Sequence, residues 1–237
     1  MTEMVRRYLR QKLGSLLVVI GLLCLVPMAA GVILSAPGQT DNFPATLAVL
    51  FIAAGCVSRD ASGGALQMIL ARPIRRSEYL IGRFLGITAT FGIFLAASLA
   101  LALAIPHVAP VLGLGPLDTV SALFGVIGTF LDGLLTASII LLLSTFLPSY
   151  ADAFGYILFL FMLAAPNVLG QLLKNKSLID LGAALKKNVD PSVPWPELLH
   201  GQNVLREATG RYVLALVVFL AAALIVFSRR EFAYGQD

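Results

Sequence analysis

Residues 13–35, 43–58, 84–105, 119–147, 153–173 and 212–228 carry between them a single charged side chain, Asp132. A helix needs about 20 predominantly apolar residues to cross a bilayer, and a soluble core cannot hide so many runs of that length. They predict an all-α integral membrane protein with six transmembrane helices, of which 43–58 is the shortest. Composition agrees, because 58% of the 237 residues are hydrophobic and only 13% charged, against about 25% charged in a soluble domain. Mean hydropathy is +0.89. Secreted, disordered and nucleic-acid-binding classes are excluded together. The first run follows a basic stretch but is too long for the h-region of a secretory signal.

A net charge of +4 arises from 17 Lys and Arg against 13 Asp and Glu, and in a membrane chain basic residues report orientation. Arg6, Arg7, Arg10 and Lys12 precede the first span. Arg59, Arg72, Arg75, Arg76 and Arg83 lie between spans two and three, and Arg229 and Arg230 follow span six. Six alternating crossings put all of these on one side. The loops 36–42 and 106–118 on the other side hold no Lys or Arg, and the long loop 174–211 holds the rest. Both termini are therefore expected in the cytoplasm, with the chain integral to the cell membrane as a single transmembrane domain over 1–237.

Two cytoplasmic segments have recognisable shape. In residues 3–13, Met4, Val5, Tyr8, Leu9 and Leu13 share one helical face while Arg6, Arg7, Arg10 and Lys12 fall largely on the other. This predicts a helix lying on the membrane surface, its cations against anionic headgroups at about 1 kcal/mol each. Between spans two and three, Leu66, Ile69 and Leu70 share a helical face with Ala65, and Pro73 must end that helix. After it, Arg75, Arg76, Glu78 and Arg83 mark a second short helix running into span three. The result is either a stiff cytoplasmic knob over 59–83 or a plain basic loop.

The order of residues in this segment resembles the type-2 (ABC-2) permeases of ATP-binding-cassette exporters. An acidic residue, Asp60, is followed by Gly64, a short aliphatic run through Leu66, Ile69 and Leu70, then Arg72, Pro73, Arg76, Glu78, and Gly82 with Arg83. Asp60 stands where that family usually has glutamate, and Arg83 where it usually has lysine. LLLSTFLPSYADAF at 141–154 is similar to the family's serine-containing link between spans four and five, and FSRREF at 227–232 to its basic close. The nearest flavour is the multi-copper enzyme maturation and nitrous-oxide reductase maturation type of permease. The resemblance implies a pair of permease chains, each meeting a cytoplasmic ATPase subunit that binds ATP and magnesium. Residues 60–72 would be the coupling helix. Leu66→Arg, or Asp60→Lys with Arg76→Glu, would then uncouple the ATPase without unfolding this chain.

The chain itself has no Gly-Lys dipeptide and hence no phosphate-cradling GxxxxGK[ST] loop, so no cofactor is expected on it. His107 and His200 stand apart from any HExxH pattern. Cys24 and Cys56 each sit in an apolar run and read as buried, inert thiols. Asp132 is the one intramembrane carboxylate. It either lines a translocation path or is hydrogen-bonded at a helix or dimer interface, with Gly128 and Gly133 allowing close approach. Asp152, near the start of span five, reads as a solvated helix-start residue. The loop 174–211 reads as an interfacial helix around Leu178, Leu181 and Leu185 with Trp195 as an anchor, or as a docking place for an extracytoplasmic partner. Two rival functions remain open beside the exporter. One is a passive membrane scaffold; the other is an ion-coupled carrier that uses Asp132.

Overall fold

The computed structural model of the chain describes residues 6, 16–35, 43–62, 66, 75–108, 118–148, 151–189, 193 and 206–229. Arg7, Arg10, Lys12, Gly64, Ile69, Leu70, Arg72, Pro73 and Trp195 lie outside them. The regular structure among the described residues is all helix, without a strand: α1 (Leu16–Ser35), α2 (Phe43–Ala53), α3 (Ser58–Ser62), α4 (Arg76–Val108), α5 (Thr119–Phe146), α6 (Ala151–Leu172), α7 (Lys176–Val189) and α8 (Arg206–Arg229). Among them, Phe43–Asp60, Arg76–Ile105, Thr119–Phe146, Ala151–Leu172 and Ala208–Arg229 are long and apolar enough to cross a membrane, and Val19–Ser35 is a shorter apolar helix. This is an integral membrane protein. The basic elbow expected before span three is continuous with it: α4 runs unbroken for 33 residues, about 50 Å at 1.5 Å per residue.

The described helices fall into two compact units. The first holds α1, α2, α4 from Ser77 onward and α5 as far as Ala137. Its core includes Ala30 and Ile33 of α1, Ala102 of α4 and Ala122 of α5, with Leu34, Leu99, Leu101 and Val126 packed around them. The ends of α1 and α4 thus meet the beginning of α5, as they must if the two short basic-free loops share a side. The outward face of α1 is Ile20, Leu23, Cys24, Pro27, Met28 and Gly31, an apolar stripe at helical spacing. Such a stripe suits lipid. It corrects the expectation for Cys24, which is exposed, whereas Cys56 is buried; both are free thiols.

Close packing within this unit relies on aromatic rings set against glycine. Phe91 of α4 stacks on Phe94 of its own helix and on Phe130 of α5, each at 6.2 Å between centroids. A Cβ placed on Gly133 would collide with the Phe91 ring, and one on Gly92 would touch Phe130 at 3.5 Å. Lipid tails are as apolar as leucine, so helices associate in a bilayer through such fitted contacts. Three buried hydroxyls are satisfied locally, Thr90 donating to Gly86 O at 2.8 Å, Ser98 to Phe94 O at 3.0 Å and Thr129 to Gly125 O at 2.9 Å, whereas the buried Thr88 Oγ1 has no partner.

The second unit holds residues 54–62, Arg76, α5 from Ser138, and α6, α7 and α8. Its most regular feature is the α6–α7 hairpin, in the region predicted to start an interfacial helix. The turn is a Schellman closure, with Asn175 N–H donating to Gly170 O at 2.8 Å and Lys174 N–H to Gln171 O at 3.3 Å. Lys174 takes the left-handed position with φ 51°. Asn175 then caps the next helix through its Oδ1 to Ser177 N–H at 3.1 Å. Gly170 and Gly182 let the two helices touch backbone to backbone: a Cβ on Gly182 would sit 2.7 Å from Asn167 N, and one on Gly170 2.7 Å from Ile179 N.

Gly182→Ala should force the hairpin apart and lower the thermal unfolding midpoint of the detergent-solubilised protein, at a cost of about 1–3 kcal/mol. Gly31→Ala is the control, since its Cβ would have nothing within 4 Å. That change should be neutral or stabilise by up to about 1 kcal/mol.

Candidate functional site

α2 lasts only 11 residues, about 16 Å of helix. At 54–57 the chain turns, with Gly55 at φ 68°, a conformation that a side chain would resist. The helix then resumes as α3. A break of this kind strips backbone N–H groups of their helical acceptors, and in lipid each unsatisfied group costs several kcal/mol. The acceptors come from the end of α5 and the start of α6. Ser144 Oγ accepts from Val57 N–H at 3.1 Å and from Ser58 N–H at 3.0 Å. Asp152 Oδ2 accepts from Gly55 N–H at 2.8 Å and from the Ser58 hydroxyl at 3.4 Å. Its Oδ1 accepts from Ala153 N–H at 2.9 Å, as suits a carboxylate at a helix N-terminus.

Ser144 and Asp152 are both 0% exposed, and Ser58 is 1% exposed. The reading of Asp152 as a solvated helix-start residue is therefore corrected: its carboxylate is sealed beneath the broken segment and bound by its donors. The link that carries it is folded tightly. Ala151 N–H donates to Pro148 O at 3.0 Å, and a Cβ on Gly155 would fall 2.5 Å from Leu147 Cδ1. The serine-containing stretch at 141–154 was visible in the sequence; its contact with 55–58 was not.

The residues expected to form the coupling knob divide by exposure. In the second unit, Asp60 is 5% exposed and Leu66 1% exposed. Leu66→Arg would therefore bury a guanidinium and disturb folding, which corrects its use as a substitution that leaves the chain intact. Arg76 is half-buried and its Nη1 donates to Ser228 O at 2.9 Å. That bond caps a terminal carbonyl of α8 with a cation, a favourable pairing with the helix dipole. Arg59 and Arg75 are exposed. In the first unit, Glu78 is exposed, while Arg83 is buried with its Nε donating to Tyr79 Oη at 3.2 Å and its guanidinium carbon 5.2 Å from the ring centroid. Arg83 thus packs on its own helix as a cation over an aromatic ring.

Asp132 lies half-buried midway along α5, next to the Gly133 notch filled by Phe91. Arg6, of the expected surface helix, is helical and exposed. Among the described residues no three His, Cys, Asp or Glu side chains come together as a metal site.

Ser144→Ala should orphan the Val57 and Ser58 N–H groups at about 1–3 kcal/mol each. Hydrogen exchange at those two amides should accelerate, and Ser144→Thr, which keeps the hydroxyl, should preserve their protection.

A family model described as ABC-2 family transporter protein matches residues 43–207, more than two thirds of the chain, including the broken span, the 141–154 link and the basic elbow. No curated protein matches the chain. With the membrane-spanning helices, this match decides the matter: the chain belongs to the ABC-2 family of transporter proteins and is a membrane permease component of an ATP-binding-cassette transporter.

Proposed function

We propose that this chain is the membrane-spanning subunit of an exporter of the multi-copper enzyme or nitrous-oxide reductase maturation type, driven by a separate ATPase. It works as a pair of identical permease chains, each seated on an ATPase subunit that holds the ATP and magnesium. Six helices cross the bilayer, α1 among them, because its 20 residues make about 30 Å of helix, the thickness of the hydrocarbon layer. Both termini are cytoplasmic, as the basic residues direct.

The observation that carries this reading is the broken second span. A helix that continued straight into the cytoplasm would end in a flexible loop. Here the chain turns at 54–57 and restarts as a helix whose first amides are held by buried side chains. The knob that follows can therefore take a push without yielding at its root. The coupling segment is Asp60, Gly64, Leu66, Ile69, Leu70, Arg72, Pro73, Arg76, Glu78 and Arg83. Within it, buried Asp60, Leu66 and Arg83 hold shape, while exposed Glu78 and the neighbouring Arg75 meet the ATPase groove. Arg6, Arg7, Arg10 and Lys12 rest on anionic headgroups. Asp132 borders the translocation path, and α7 faces outward, where an extracytoplasmic partner would dock.

The test is purification of the tagged chain from its native host in mild detergent. A stoichiometric ATPase should co-purify, and Arg75→Glu combined with Glu78→Lys should reduce its recovery at least tenfold while the helical circular dichroism stays unchanged. A chain that purifies alone and transports in liposomes until Asp132→Asn is made would overturn the exporter in favour of a carrier. A partner that hydrolyses nothing would instead indicate a scaffold.

A further inference from the structure

We propose that Ser144 and Asp152 are positioning residues that strap the root of the coupling segment to the link between α5 and α6, so that displacement of the knob is delivered to α6. The argument begins with the missing hydrogen-bond ladder. A push on α3 cannot travel up the second span through helical hydrogen bonds, because those bonds are interrupted at 54–57, where Gly55 turns. Side-chain hydrogen bonds from the root of α3 instead run sideways to acceptors 86 to 97 residues further along the chain. Both acceptors flank the short link between α5 and α6, and Asp152 lies in the first turn of α6.

The receiving helix is the least enclosed of the described spans. Only 11% of the α6 span is buried within the chain, against 39% for α4 and 50% for α5. Phe154, Ile157, Leu158, Phe161 and Met162 are all exposed, an apolar face suited to lipid, so that α6 and the α7 packed on it can shift together. The attachment, by contrast, is stiff. Asp152 binds donors through both oxygens, Ser144 uses one hydroxyl oxygen for two amides, and neither residue has any surface open to solvent. In a water-free setting such bonds have no solvent competitor. The strap thus joins a hydrogen-bonded point sealed from solvent to the least enclosed of the described membrane spans.

This inference rests on the exporter reading for the source of the push, but the strap can be tested with or without an ATPase. In a Cys24→Ala background, spin labels are placed at Arg59→Cys in α3 and Phe161→Cys in α6, both exposed positions, and their separation is measured by pulsed electron paramagnetic resonance in lipid nanodiscs. The purified chain should give one narrow distance distribution. Ser144→Ala with Asp152→Ala should broaden it, and Ser144→Thr, which retains the acceptor, should keep it narrow. In the complex with the co-purified ATPase, a non-hydrolysable ATP analogue should leave the distance unchanged while altering the lipid accessibility of the Phe161 label. The double variant should lose that accessibility response with the ATPase still bound.

A distribution equally narrow in the double variant, or a distance that shifts with nucleotide in the unsubstituted strap, overturns the proposal. Should the double variant fail to fold, Ser144→Ala alone must still broaden the distribution, and an unaltered distribution there has the same consequence. Absence of any ATPase sinks the exporter reading and leaves the nucleotide-free comparison to decide the strap.

Discussion

A backbone amide in lipid has no water to fall back on, and the second span gives up its helical ladder at the end of its apolar run, at 54–57. The end of α5 and the start of α6 make that tolerable. One serine hydroxyl and one carboxylate, both sealed from solvent, supply the acceptors that the helix itself no longer offers. Because those acceptors stand at the end of α5 and the start of α6, satisfying the amides also fixes where the link between those helices must lie. Gly55 at the turn and Gly155 behind the link are the two positions where a side chain would obstruct this arrangement. The Arg76 bond to Ser228 O does for the end of α8 what Ser144 does for the start of α3.

Elsewhere the helices meet without help from the hydrophobic effect, and two solutions appear. In the first unit, phenylalanine rings fill glycine notches, so that α4 and α5 lock by shape, with aromatic pairs of this kind contributing about 0.5–1.5 kcal/mol beyond area burial. In the α6–α7 hairpin no ring intervenes, and glycine lets backbone meet backbone. The first gives a wide contact with large side chains; the second gives a narrow one that tolerates no Cβ. Both leave the outer faces of α1, α6 and α8 to large aliphatic and aromatic groups such as Leu23, Phe161 and Leu214.

The spans were legible because absence of charge over 20 residues leaves few alternatives. The start of α5, the beginning of α4 in the basic elbow and the polar-flanked helix after span five all follow from charge and spacing. The break at 54–57 was visible only as a short run, 43–58, since no pattern distinguishes a glycine that must turn from one that merely packs. Asp152 was misread for a physical reason. An acid one residue into a helix looks the same whether its carboxylate caps its own helix in water or reaches a chain segment some 97 residues distant. The buried state of Leu66 and Arg83 was hidden likewise, because an amphipathic pattern says which residues share a face but not what that face meets.

The order of synthesis gives the broken span a further significance. Residues 55–58 leave the ribosome well before their acceptors at 144 and 152, and at about 5 to 20 residues per second that interval is roughly 5 to 20 s. During it the amides at 55, 57 and 58 lack the side-chain acceptors that hold them in the folded chain. The turn at 54–57 is therefore closed late, by side chains beside the α5–α6 link that follow it by 86 to 97 residues.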